Sequence, residues 1–345
     1  MSSPTTRFLR DPARGRPWLV AGAALAFACL LPLADRVLPP GWAVASILPG
    51  ILVFAVVALG LNVLVGWAGQ LNLGVGAWMA VGAYGYAILT SPVYPFAWGF
   101  WGGLAAALAL GAGTGLLLGL PTMRLSGDYL ALVTLGFGEI VQDLLLNLEP
   151  LTKGNQGINP VPPPWLPGCA PGTPLATYYL YLALTVLAAL ACRNLLRSPL
   201  GRAWNAVRDD ELAARALGVD AGRAKLSASV ACGALAALGG ALFAALQGSS
   251  VNPCTYDFQV SVLVLCAVLV GGMGSIPGVL LGTLLAFGLN ALVLDRVGAA
   301  IRAGGAGGDH ALLQPANWKY LIYGLVLVLV MRFRPQGLLP PRQGA

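Results

Sequence analysis

Charge is what this sequence has least of: only 10% of its 345 residues are Asp, Glu, Lys or Arg, against about 25% in an ordinary soluble chain. Histidine occurs once, as His310 in a glycine-rich stretch. That excludes an HExxH metal site and a histidine-based triad in the apolar segments. None of Lys153, Lys225 or Lys319 follows a glycine and precedes Ser or Thr, so there is no P-loop. Any ATP the chain depends on must be hydrolysed by a separate chain, and the protein is not expected to be an enzyme. The six cysteines (Cys29, Cys169, Cys192, Cys232, Cys254, Cys266) form no CxxC pair, and no metal or other cofactor is called for. Cys169 and Cys254 fall in loops expected outside, which leaves a disulfide between them open.

Apolar surface is what the sequence has in abundance. Hydrophobic residues make up 57% of the chain and mean hydropathy is +0.77, the signature of a polytopic membrane protein. The 46 glycines suit helices packed closely in lipid. Arg7, Arg10, Arg14 and Arg16 precede an apolar run, Trp18–Leu33, read as an uncleaved first span in preference to a signal peptide. Helices are then expected near Ala43–Val65, Leu71–Thr90, Ala97–Leu120, Asp128–Leu148, Thr177–Cys192, Leu226–Gln247, Phe258–Val270, Pro277–Leu294 and Trp318–Met331. The eighth and ninth are short and separated only by a glycine turn, so one broken element is the alternative. The loop Glu149–Ala176, rich in proline and glycine, is expected outside, irregular and rigid.

Charge bias orients the spans. With the amino terminus inside and ten helices, the inner side holds Arg7, Arg10, Arg14, Arg16, Arg124, Arg193, Arg197, Arg202, Arg208, Arg215, Arg223, Lys225, Arg332, Arg334 and Arg342. The outer side keeps Arg36, Lys153, Arg296, Arg302 and Lys319, so fifteen of the 20 basic residues lie inside, as the positive-inside rule requires. The expected fold is an all-α polytopic membrane protein of about ten transmembrane helices with both termini cytoplasmic. It forms one transmembrane domain over residues 1–345, with cytoplasmic tails at 1–17 and 332–345 and a cytoplasmic loop at 193–225. Two five-helix halves would be inverted relative to each other because five is odd.

Residues 193–225 are the one sizeable charge-dense segment. Asp209 is the expected N-cap of a short helix, Asp210–Leu217, whose first turn carries Asp210 and Glu211 at the positive end of the dipole. Glu211 stands four residues before Arg215, the favourable order for an ion pair, and Gly218 is the expected C′ residue. Small Ala213 and Ala214 permit close approach, so such a helix suits a groove on a partner. The competing reading is a solvated loop whose charges only set topology.

Within the apolar part, Gly60–Gly74 holds Asn62, Gln70 and Asn72 among glycines that include Gly69 and Gly74. Amides at membrane depth need partners and glycines let the backbone break, which points to an unwound, cavity-lining segment. The alternative is a tight turn with the amides as packing glue. Gly271–Gly278 reads as a turn. The fifth span carries Thr134 and, near its middle, Glu139, a functional candidate by its depth or a hydrogen-bonded structural carboxyl.

Five blocks, Gly60–Tyr84, Gly127–Glu139, Thr152–Ile158, Gly201–Lys225 and Leu269–Gly282, stand in an order that resembles the membrane subunits of bacterial ABC importers of the branched-chain amino-acid type, in the LivM-like branch. The resemblance spans residues 45–335. It implies a permease of the bacterial inner (plasma) membrane that translocates branched-chain amino acids delivered by a periplasmic binding protein. It also implies a second permease subunit, as a heterodimer, and two cytoplasmic ABC ATPase subunits. Urea or short amides are the alternative cargo, and a proton-coupled secondary transporter using Glu139 is the alternative mechanism. By the resemblance, Arg208, Asp209, Asp210, Glu211, Ala213, Ala214, Arg215 and Gly218 belong to the ATPase-coupling loop. Glu211, Ala213, Ala214 and Gly218 match an EAA-x-x-x-G pattern with Leu212 inserted. Asn62, Gly69, Gln70, Asn72, Gly74, Thr134 and Glu139 are the candidate translocation pathway, with Asn72 where relatives often carry serine.

Overall fold

The computed structural model describes residues 44–96, 98–125, 127–164 and 173–289, with positions 31–32, 324–325, 328, 332 and 337–339 besides. The expected first span (Trp18–Leu33), nearly all of the last (Trp318–Met331), both tails, Cys29 and Cys169 lie outside the described residues. Regular structure among the described residues is helical; one isolated bridge pairs Ile158 with Val251. The principal helices are α1 (Val44–Asn62), α2 (Val75–Thr90), α3 (Phe100–Thr122), α4 (Asp128–Asn147), α5 (Pro174–Arg197), α6 (Pro199–Asp209), α7 (Glu211–Ala216), α8 (Ala221–Gln247), α9 (Phe258–Gly271) and α10 (Ile276–Leu289).

Six segments are long and apolar enough to cross a membrane: Ser46–Trp67, α3, α4, α5, α8 and Pro253–Gly271. α2 and α10 are apolar but shorter. The described residues thus hold six such helices where the sequence suggests more spans. α2 shows why length fails there. Its 16 residues rise about 24 Å, short of the roughly 30 Å hydrocarbon core, and the seven residues before it, 68–74, are non-helical.

α8 is the axis of the bundle and packs against α1, α2 and α3. The contact depends on small residues. A Cβ on Gly82 would overlap the carbonyl oxygen of Ala237, and one on Gly240 would overlap that of Met79, so α2 and α8 meet backbone to backbone. Ser229 Oγ donates to the carbonyl of Gly115 at 2.9 Å, and Tyr181 Oη on α5 donates to Leu242 O at 2.7 Å. Each tie satisfies a buried hydroxyl that would otherwise cost free energy.

Several expectations are corrected. The second helix does not end at Val65. It passes into a π-helical turn, Val63–Trp67, where the Ala68 amide donates to Val63 O at 3.1 Å. The third helix begins at Val75 and not at Leu71, because the Leu73 amide donates to Thr134 Oγ1 at 3.1 Å and the Gly74 amide to Asn72 Oδ1 at 2.9 Å. α9 and α10 are separate helices packed on each other, with Gly271 and Gly278 in close contact, so one broken element is ruled out. Residues 199–209, within the stretch expected to be a loop, form a helix. Cys254 is exposed beside Asn155 Oδ1, at 3.9 Å.

Candidate functional site

Two features built from polar residues meet in this bundle. The first is the helix break after α1. Asn62 is wholly buried, and its Oδ1 accepts from the Gly274 amide at 2.8 Å. The π-turn that follows buries Trp67, whose indole Nε1–H donates to Gly274 O at 3.0 Å. The turn between α9 and α10 is therefore tied at both its N–H and its C=O to the end of α1. The Gln70 amide reaches back to Leu64 O at 3.0 Å, and Gly69 takes a left-handed φ of 67° that most side chains avoid. The chain then rises along α4. Gly74 lies against the backbone of Thr134, Thr134 Oγ1 donates to Ala131 O at 2.9 Å, and α2 starts there.

At this upper end lies a small open cavity with about 10 Å³ of water-accessible space, room for roughly one water. Leu73, Ala77, Leu135 and Phe258 form its apolar lining, and Glu139, Asp257 and Ser261 its polar one. Ser261 Oγ accepts from the Gly76 amide at 2.9 Å and Asp257 Oδ1 from the Val260 amide at 3.1 Å, so both also brace helix starts. Of the seven candidate pathway residues only Glu139 lines the cavity. Asn72, Gly74 and Thr134 brace its floor, Gln70 lies buried below, and Asn62 and Gly69 sit at the lower end of the break. Two carboxylates, Glu139 and Asp257, and the Ser261 hydroxyl thus stand beside an apolar wall.

The second feature is the helical hairpin at the lower end. α6 turns Gly201, Trp204 and Val207 inward, a three-residue spacing readable in the sequence. Trp204 stacks on Trp67, centroids 6.4 Å apart and planes within 8°, and its Nε1–H donates to Ser227 Oγ on α8 at 2.9 Å. Arg208 Nη1 donates to the carbonyl of Gly66, and its aliphatic stem packs under Gly69.

The cap of α7 is corrected. Asp209 is the last residue of α6, and Asp210 is the N-cap, with Oδ1 accepting from the amides of Leu212 at 2.8 Å and Ala213 at 3.0 Å. The far end closes as a Schellman motif: Gly218, φ 86°, donates to Arg215 O, and Val219 to Ala214 O, both at 3.0 Å. Glu211 pairs with Arg215 at 2.6 Å. It also pairs with Lys225 on α8 at 2.8 Å, a partner fourteen residues away that helical spacing does not indicate. The hydrogen bond from Lys225, with the charges of Lys225 and Arg215 behind it, holds the Glu211 carboxyl below the usual range against a smaller desolvation effect. Lys225 is only 7% exposed, so Glu211 is its essential counter-charge.

Exposure reverses part of the expected contact surface. Ala214 is 2% exposed and faces its own chain, whereas Leu212 and Leu217 are 78% and 84% exposed. Ala213, Arg215 and Gly218 are exposed with them. The outward patch of α7 therefore centres on the two leucines and not on Ala214.

Residues 43–331 match the family described as the permease component of the branched-chain amino acid transport system. The chain is 40% identical over 313 residues to the high-affinity branched-chain amino acid transport system permease protein LivM of Escherichia coli strain K12, covering 84% of this chain and 68% of that one. The corresponding protein of Salmonella typhimurium matches at the same identity and coverage. The probable branched-chain amino acid transport permease protein LivM of Methanocaldococcus jannaschii is 26% identical over 245 residues, covering 69% of this chain and 68% of its own. No solved structure matches.

Proposed function

The chain belongs to the family of branched-chain amino acid transport system permeases, and from that membership we propose that it is the membrane-spanning permease subunit of an ABC importer. It resides in the bacterial inner (plasma) membrane and translocates branched-chain amino acids received from a periplasmic binding protein. ATP is hydrolysed by two separate cytoplasmic ATPase subunits. The observation that carries this reading is the family match over residues 43–331; the break at residues 68–74, an unwound segment that starts a short helix near Glu139, is in keeping with it. Irregular backbone at membrane depth is tolerated where it lines a cavity or is buried in protein, and transporters place their sites at such breaks.

The finer organisation is part of the same proposal. The chain is one permease domain of ten spans with cytoplasmic termini, and residues 193–225 face the cytoplasm. The exposed leucines of α7 enter a groove on an ATPase. Asp209, Asp210, Glu211, Ala213, Arg215 and Gly218 shape that contact, Ala214 seats the helix on its own chain, and Arg208 belongs to the same loop but is turned inward to Gly66. A second permease completes the pathway as a heterodimer. Support for it comes from α4, which leaves Glu139, Asp143 and Asn147 exposed along one side, an arrangement that hydrocarbon penalises.

The test is purification with the ATPase and uptake of labelled leucine into proteoliposomes supplied with binding protein and ATP. Leu212→Asp is expected to weaken ATPase association about tenfold, the scale of losing one buried apolar anchor, while the chain still inserts. Uptake by this chain alone, driven by an ion gradient without any ATPase, would overturn the reading.

A further inference from the structure

The lower end of the helix break and the coupling hairpin are joined by more polar contacts than packing requires. Gly66 O belongs to the last turn of a helix, where carbonyls lack intrahelical partners, and the guanidinium of Arg208 takes it. The Arg208 stem passes under Gly69, where an added Cβ would stand 3.0 Å from its Cγ in a backbone that is already left-handed. Trp204 and Trp67 stack, and each indole N–H is committed elsewhere, to Ser227 and to Gly274. Asn62 bears a cost in this arrangement: its Oδ1 is bonded to Gly274, but its buried Nδ2 has no partner among the described residues. A π-helical turn is rare in itself and recurs at functional positions. The ties join α6 to one end of a segment whose other end is pinned to Thr134 and starts α2 beside Glu139.

Resting on the permease reading above, we propose that Arg208 and Trp204 are positioning residues that clamp the inner end of the 66–74 segment to α6, so that displacement of the coupling hairpin is delivered to the cavity through the backbone of that segment. Arg208 thus acts inward, on Gly66 and Gly69, and is not an ATPase contact. The physical argument is one of stiffness. α6 and α7 are fused by Asp210, whose N–H donates to Ala206 O at 3.1 Å while its side chain caps α7, so the hairpin moves as a unit. Residues 66–74 form a short strap with both ends bonded. Pulling on such a strap moves its far end, whereas releasing one end leaves the far end unmoved. The orphaned Asn62 Nδ2 fits a hub with a second arrangement, because a buried donor left unpaired in one state is satisfied at no further cost in another.

Spatial continuity alone does not demonstrate coupling, so the test reads coupling directly. The complete assembly, with second permease, ATPases and binding protein, is reconstituted with Arg208→Ala or Arg208→Gln in this chain. Leucine taken up and ATP hydrolysed are measured in the same vesicles. Uptake per ATP is expected to fall about tenfold, within the usual span of coupling effects, with the ATPases still bound. Arg208→Lys, which keeps a charged donor, should recover part of the ratio. In a cysteine-free background with Leu71→Cys, the reaction rate with a thiol reagent should change on trapping with ATP and vanadate, and Arg208→Ala should abolish that change. An unaltered ratio, or loss of ATPase binding in Arg208→Ala, overturns the clamp while leaving the permease reading intact. If Arg208→Ala fails to accumulate, Arg208→Gln and Arg208→Lys decide the matter by the same ratio. If the unaltered chain neither binds an ATPase nor couples to one, the permease reading itself fails.

Discussion

Glu139 sits near the middle of a 20-residue helix, exposed and on the lining of the cavity. Its depth made it conspicuous in the sequence, but depth does not distinguish a proton carrier from a polar wall. The surroundings argue for the wall. Ser261 and Asp257 share the cavity, and each accepts from a backbone amide, so both are engaged in bracing helix starts. Glu139→Gln preserves shape and hydrogen-bonding capacity while removing the charge. ATP-driven leucine uptake by that variant is expected to persist at a reduced rate and to respond to an imposed pH gradient as the unaltered assembly does. Selective loss of the pH-gradient response would establish proton carriage. Ala214 teaches the opposite lesson: a small residue in a surface helix invites a partner-contact reading, yet its side chain is spent on its own chain.

The α7 hairpin is the element in which local and distant interactions divide most clearly. Asp210, Gly218 and the Glu211–Arg215 pair are local, and the exposed pair contributes little by itself. Lys225 supplies the distant part by tying α7 to α8 through Glu211. The sign of the pH effect follows from the direction of the Glu211 shift. A carboxyl held below its ordinary value of about 4.3 contributes stability that is fully present above that value and is lost as pH falls through the lowered one. The hairpin should therefore be insensitive to pH across the neutral range and loosen only in acid. Glu211→Gln should show at neutral pH the loosening that the unaltered chain shows only in acid. Hydrogen exchange at the Gly218 and Val219 amides, both bonded into the α7 cap, reads this. Equal protection in the two proteins at neutral pH would mean that Lys225 does not hold the hairpin.

At the scale of the whole molecule, α8 organises the bundle and the hairpin lies at one end of it, the end proposed above to face the cytoplasm. Leu217, 84% exposed, marks that end. In a cysteine-free background without the ATPase, Leu217→Cys is expected to react with an impermeant thiol reagent only from the cytoplasmic face. Reaction from outside would invert the topology. α3 and α4 turn Leu116, Leu117, Leu120, Leu132 and Ile140 outward, as lipid-facing helices do, so the apolar surface left exposed needs no aqueous explanation.

The sequence by itself determined the membrane class, the bundle of apolar helices, the break among the glycines and amides after Asn62, and the stop at Gly218. Each of these is a matter of local composition or of a few neighbouring residues. It also carried the family, because the matching blocks are contiguous stretches. Tertiary structure alone decided where α2 begins, since that depends on the hydroxyl of Thr134 accepting the Leu73 amide across 61 residues. It decided which aspartate caps α7, because Asp209 is already consumed by α6, whose inward face exists only against Trp67 and Ser227. It also decided what the glycine turn at 272–275 is for. The bonds from Arg208 to Gly66 and from Gly274 to Asn62 join positions 142 and 212 residues apart. Contacts at that separation arise when packed helices bring loop ends together, and no periodicity along the chain encodes them.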